Sequence, residues 1–265
     1  VLTSKGTAVG VLMENGDKIK SNFVISGAGV ANTYTKLMSE NNKLIQSVDK
    51  KMKKVKRTGS YVCLHIGLNK SIQDMMIKNT NLWIYPGYDH DQSLKNYIDN
   101  PRSEFPLVYV SFPSAKDNSW DKNHPNSGTI EAIIPSQMSW YSNWKNTNWK
   151  KRGSEYDLHK EKLSKGILEV VLNHLPEIKN SIDFHELSTP LTVMSLANYS
   201  NGEMYGLDHS PRRFRQRWLR PSSGMKNLFF TGQDVTTVGV SSALFSGLLT
   251  ASAVLKKDLS VLLKN

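Results

Sequence analysis

A single cysteine among 265 residues excludes an internal disulfide and a multi-thiolate metal cluster, and no metal ligand set is expected. Acidic residues are in deficit as well, 23 against 34 Lys and Arg, for a net charge of +11. Such a balance suits nucleic acid or an anionic membrane surface. The basic residues are scattered, however, apart from residues 50–57 and 212–217, and no nucleic-acid motif accompanies them. Nucleic acid is therefore not an expected partner. The 50–57 run reads as a solvated helix end, with a membrane-facing patch as the alternative. Only residues 235–255 are free of charge for long enough to span a bilayer. Thr236, Thr237, Ser241, Ser242, Ser246, Thr250 and Ser252 dilute that stretch, so it reads as a buried domain helix instead. Its Ser242, Ser246, Gly247 and Ala251 fall on one face and would allow close packing.

The most informative segment runs from Asn227 to Leu255. Leu228, Phe229 and Phe230 form a compact apolar run that reads as a short buried strand ending before Gly232. Asp234 then falls just past the strand's carboxyl end, the edge at which open α/β sheets bind ligands. Gly239 permits close backbone approach, and Val240 and Ser241 open a helix whose unpaired amides favour negative charge. Gly232, Asp234, Gly239, Val240 and Ser241 thus read as a cofactor seat without an obvious catalyst. Simple capping or turn formation by Asp234 is the plainer alternative.

Elsewhere the pattern is α/β (α+β). Residues 1–30 read as a hairpin turning at Asn15-Gly16, followed by a buried strand. Residues 31–50 read as helical. Strand-like runs follow at 60–68, 107–112 and 129–135, in what looks like a sheet-based domain. Cys63 lies in the first of these and reads as a buried core thiol. A helix over about 155–175 presents Leu163, Ile167, Leu168, Val170, Val171 and Leu175 at core-facing spacing and stops before Pro176. Residues 23–32 contain a strand followed by G-x-G-x-x-N, with Asp49 where a ribose-binding acid would fall. Asn32 stands in place of the third glycine, so the segment reads as a tight strand-to-helix turn.

The segment 227–255 resembles the C-terminal flavin motif of the phytoene desaturase, carotenoid isomerase and retinol saturase family, within the amine-oxidase-like flavoprotein superfamily. Three further segments agree in order: residues 10–30, the W-K-K-R-G-S-E-Y run at 149–156, and residues 186–192 with G-E-M-Y-G-L-D at 202–208. The resemblance therefore covers nearly the whole chain. It implies part of a Rossmann-like FAD-binding domain at 1–54 and 191–265, with a substrate-binding domain inserted at 55–190. It also implies a G-x-G-x-x-G segment that this sequence does not contain, so the chain is expected to be the C-terminal part of a longer polypeptide. Targeting signals are not legible for that reason, and a cytoplasmic or membrane-peripheral location is expected.

The activity implied is an FAD-dependent oxidoreduction at carbon–carbon double bonds of a polyene: desaturation, saturation or isomerisation of a carotenoid or retinoid. FAD is the expected cofactor and NAD(P)H a candidate electron source. Asp234 would accept from ribityl hydroxyls, and the amides of Gly239, Val240 and Ser241 would face the pyrimidine side of the flavin ring. A polyene or other lipid-like substrate needs an apolar tunnel. Trp83, Tyr85, Trp140, Tyr141, Trp144, Tyr199 and Tyr205 are candidates for lining it. His65, His185 and His209 have no partner pattern in the sequence, so no catalytic residue is named. Two alternatives stand beside this reading, a flavin-containing amine oxidase and a non-catalytic flavin-fold module that binds lipid or membrane.

Overall fold

The computed structural model describes residues 1–38 and 43–263, apart from the side chains of Lys43, Ile45, Gln46 and Asp49. Residues 39–42 of the expected helical stretch, and the Asp49 carboxylate, thus lie outside the described residues. The described residues mix helices with three sheets, and the chain divides into two compact units. Residues 1–58, 197–199 and 203–265 make the first, and residues 59–196 and 200–202 the second.

In the first unit β1 (Leu2–Ser4), β2 (Thr7–Leu12) and β3 (Lys18–Lys20) form an antiparallel sheet. Asn15-Gly16 turns between β2 and β3 as the sequence predicts. A second hairpin, β1 to β2, turns at Lys5-Gly6, where both φ values are positive at 46° and 75°, the pattern that suits the twist of a two-residue hairpin. The next strand, β4 (Val24–Ser26), pairs in parallel with β10 (Leu228–Phe230), Val24 opposite Leu228 and Ser26 opposite Phe230. Leu228 and Phe230 are 1% exposed and pack into a core with Val30, Tyr34, Val48 and Leu207. Alternation puts Phe229 on the other side of β10, edge-on to Phe23. β4 is not the fully buried strand expected, because Ile25 stays 52% exposed.

The second unit is built on a five-stranded antiparallel sheet. Its strands are β5 (Ser60–Leu68), β6 (Leu82–Ile84), β7 (Val108–Ser111), β8 (Gly128–Ser136) and β9 (Ile182–Ser188), in the spatial order β6-β7-β8-β5-β9. Strict alternation sends Val62, Leu64 and Ile66 of β5, and Ile130, Ala132 and Ile134 of β8, to one face. There they meet Ile167 and Val171 of the helix Ser154–His174, both wholly buried. Side chains at such positions stabilise a fold by about 2–5 kcal/mol each relative to Ala. Cys63 falls on the opposite, half-exposed face, which corrects its assignment to the core. Arg152, 7% exposed, ties the segment before this helix to the helix Pro190–Ala197. It donates to the Thr147 carbonyl at 2.9 Å and to Ser195 Oγ at 2.7 Å.

Candidate functional site

The turn between β10 and the helix Val240–Leu255 is fixed at both ends. Ser246 Oγ accepts from the Gly232 amide at 2.6 Å, and the Thr250 hydroxyl donates to the Phe230 carbonyl at 2.7 Å. These two side chains are buried and form the helix's contact face against β10. Its apolar side chains behave differently: Val240 is 87%, Leu244 77% and Leu255 58% exposed. Within its own unit this helix is therefore not the buried helix that its composition predicts. Gly247 also has open space around it rather than the close contact expected. Among the described residues no helix is long and apolar enough to cross a membrane.

Asp234 is 3% exposed, and both its oxygens accept backbone amides. Oδ2 takes the Val30 N–H at 2.8 Å and Oδ1 the Leu207 N–H at 2.9 Å. Val30 opens the helix that follows β4, so the carboxylate from β10 caps the helix of the neighbouring strand. This settles the G-x-G-x-x-N segment in physical terms. A dinucleotide fingerprint needs that helix start free for a phosphate, and here a protein carboxylate occupies it.

Two neighbours hold the arrangement. Gly206 has φ +65°, and a β-carbon there would sit 2.3 Å from Asp234 Oδ1. Gly206→Ala is expected to destabilise the protein by about 2 kcal/mol or more, since a left-handed backbone at a non-glycine residue alone costs about 1–3 kcal/mol. Urea unfolding of the variant beside the wild type measures it. Arg213, 2% exposed, points its guanidinium at the turn from the other side. Nη2 donates to the carbonyls of Gln233 at 3.0 Å and Asp234 at 2.6 Å, and Nη1 to that of Thr236. Burial pushes its pKa down, opposed by the charges of Asp234 and Asp208.

Some polar atoms in this region are buried and find no hydrogen-bond partner among the described residues: Asp208 Oδ1, His209 Nε2 and Arg213 Nε. Burial first, and the Arg213 charge second, hold the His209 imidazole below its ordinary pKa. Tyr199 packs beside Gly29, its phenol pKa raised by burial and then by the Asp234 charge.

The five residues expected at the seat divide into a braced group and an open one. Asp234 is committed to protein amides, whereas Gly239, Val240 and Ser241 are exposed at a helix start with no side-chain cap. Gly239 has φ +95°, and a β-carbon on it or on Gly232 would point into open space. The first amides of such a helix have no partner within the helix. Val30, Leu207, Asp208 and Arg213 were not anticipated, and His209 was weighed only as an acid or base without a partner. The sequence signals near them were the 10–30 and 202–208 segments that carry the family resemblance and the run at 212–217, which read merely as charge. Among the candidate aromatics Tyr141 is a core side chain at 1% exposure, and Trp140 and Trp144 pack against the same core. Trp83 and Tyr85 are exposed.

No family profile matches the chain. The human all-trans-retinol 13,14-reductase is 32% identical over 275 residues, which cover 100% of this chain and 45% of that protein. The zeta-carotene-forming phytoene desaturase of Myxococcus xanthus is 22% identical over 260 residues, covering 96% of this chain and 46% of that protein. The chain spans just under half the length of these curated relatives. A crystal structure of an oxidoreductase from Methanosarcina mazei has a TM-score of 0.51 at 11% identity, covering 97% of this chain and 48% of that one. At that identity the likeness concerns the fold alone.

Proposed function

The chain belongs to the retinol saturase and phytoene desaturase family, and we propose that the protein carrying it is an FAD-dependent oxidoreductase acting on carbon–carbon double bonds of a polyene such as a retinoid or carotenoid. The observation that carries this reading is the seat at the end of β10. A buried carboxylate braces two chain segments there, beside an uncapped helix start flanked by glycines. The amine oxidase alternative is not favoured, because the relatives matched along nearly the whole chain carry the names of polyene enzymes.

The residues present fit the cofactor. Space over Gly232 and Gly239, together with unmet polar atoms on Asp208, His209 and Arg213, suits a ligand that is polar along its length. Each Asp234 oxygen uses one lone pair on an amide and keeps a second for a ribityl hydroxyl. The amides of Gly239, Val240 and Ser241 supply positive potential to an anionic ring edge. When bound, FAD supplies the two-electron chemistry, and the protein's part is to bind, orient and tune it. In this reading the first unit is part of the FAD-binding domain and the second unit binds substrate. NAD(P)H is the proposed electron source, and the exposed lysines at 50, 51, 54 and 56 suit peripheral contact with an anionic membrane.

The test is anaerobic incubation of the full-length flavin-loaded protein with separate retinoid, carotenoid and amine panels. A polyene product changed by two hydrogens, or isomerised at constant mass, is expected. Consumption of amines with every polyene untouched would sink the proposal.

A further inference from the structure

The half-exposed face of the five-stranded sheet carries a cluster that the proposed flavin chemistry does not use. Cys63 and His65 are two residues apart on β5 and so point to the same face. Glu131 of β8 is the direct register partner of His65 across the pair. His65 Nδ1 lies 3.4 Å from Glu131 Oε1 and 3.8 Å from Cys63 Sγ, and the three ligand atoms all fall within 4.8 Å of one another. From this convergence we infer that Cys63, His65 and Glu131 form a binding site for a divalent ion of the zinc class, with the fourth position left to water.

The distances match what such an ion requires. With Zn–S near 2.3 Å and Zn–N or Zn–O near 2.0–2.1 Å, tetrahedral angles set ligand atoms about 3.4 Å apart for N and O and about 3.6 Å apart for S and N. The observed edges of 3.4 and 3.8 Å are already close to these values, and the third is no longer than 4.8 Å. Thiolate, imidazole and carboxylate are also the donor types a borderline-soft ion selects. The second nitrogen of His65 is positioned too: Nε2 lies 3.0 Å from Ser188 Oγ of β9. With Nε2–H donating to that hydroxyl, Nδ1 is left free as a ligand, the usual outer support of a metal-bound histidine. Charge is complementary, since Glu186 of β9 is the register partner of His65 on its other side. Lys116 is the cation that acts on Glu131, and its ammonium is held by Asn81 and by Ser111 at 2.8 Å.

In the absence of an ion the same groups converge on a proton. The hydrogen bond to Cys63, and then that to Glu131, raise the His65 pKa to about 10. A plain hydrogen-bonded ion pair is thus the competitor, and metal analysis separates the two. The untagged full-length holoprotein is loaded with Zn(II), dialysed against metal-free buffer and assayed for zinc. It is then loaded with Co(II), and the spectrum is recorded as the difference from metal-free holoprotein, which removes the flavin bands.

One zinc per chain and a near-ultraviolet thiolate-to-cobalt charge-transfer band are expected. Cys63→Ser should abolish the band, and His65→Gln and Glu131→Gln should each weaken Zn(II) binding at least tenfold. Ser188→Ala should weaken it by about 10–100-fold, as loss of an outer-shell partner does. Flavin content stays unchanged in all four variants, which keeps this result separate from the fate of the flavin seat. Zinc no higher than in the dialysis buffer, or equal binding by a variant lacking all three ligands, would overturn the site.

Discussion

Asp234→Ala is expected to cost about 2–5 kcal/mol of stability and to strip the protein of its flavin. The estimate follows from where the carboxylate's two bonds go. The Val30 and Leu207 amides are buried and take Asp234 as acceptor. A buried donor left without its acceptor costs about 1–3 kcal/mol, and alanine leaves two. Solvent entering the vacated space would recover part of this, which trims the upper end. The functional effect should exceed the stability effect, because Asp234 joins three segments at one point: the end of β10, the helix start after β4 and the 206–207 loop. Asp234→Asn is the informative partner. It keeps one acceptor oxygen but turns an amino group toward the other amide, so it should also lose flavin while folding better than alanine. Urea unfolding gives the first quantity, and the visible-to-280 nm absorbance ratio after FAD reconstitution gives the second. A ratio equal to wild type in the folded variants would refute the role given to Asp234.

Arg213→Met should be comparably severe, at about 2–4 kcal/mol, and two opposing effects set its sign. Burying a guanidinium costs several kcal/mol, and methionine removes that cost while filling much of the volume. Against this, each hydrogen bond from a charged donor is worth about 1.5–3 kcal/mol, and Arg213 makes them to the carbonyls of Gln233, Asp234 and Thr236. Three such bonds outweigh the desolvation of one ion, so removal is destabilising. Arg213→Lys is expected to restore less than half of the loss. An ammonium keeps the charge but lacks the planar fork that meets three carbonyls of one turn. Thermal or urea midpoints of both variants test this, and equal stability of Lys and Arg would contradict it.

What could be read from the sequence follows the range of the interactions. β5, β7 and β8 were legible because alternation along one strand carries the signal, and the helix Ser154–His174 because its apolar stripe has helical period. Of β9, only residues 186–188 fell in a segment read through the family resemblance, and its pattern gave no signal for the opposite reason. It is an edge strand whose Phe184, His185 and Glu186 are all exposed, so it lacks the pattern. Alternation identifies two faces without saying which is the core, and Cys63 was assigned to the wrong one. The position of Asp234 after β10 was visible, but its partners lie 204 and 27 residues away in the chain, and no local pattern encodes that distance. The helix Val240–Leu255 is uncharged all round and mixes small hydroxyl side chains with apolar ones, so its composition could not reveal that its buried residues would be Ser246 and Thr250.

The most direct test of the flavin seat is the visible absorption spectrum of the full-length protein after FAD reconstitution and removal of free cofactor. One bound FAD per chain is expected, with a spectrum that bleaches on anaerobic reduction and changes again when a retinoid or carotenoid is added. A folded protein that emerges colourless from reconstitution would contradict it.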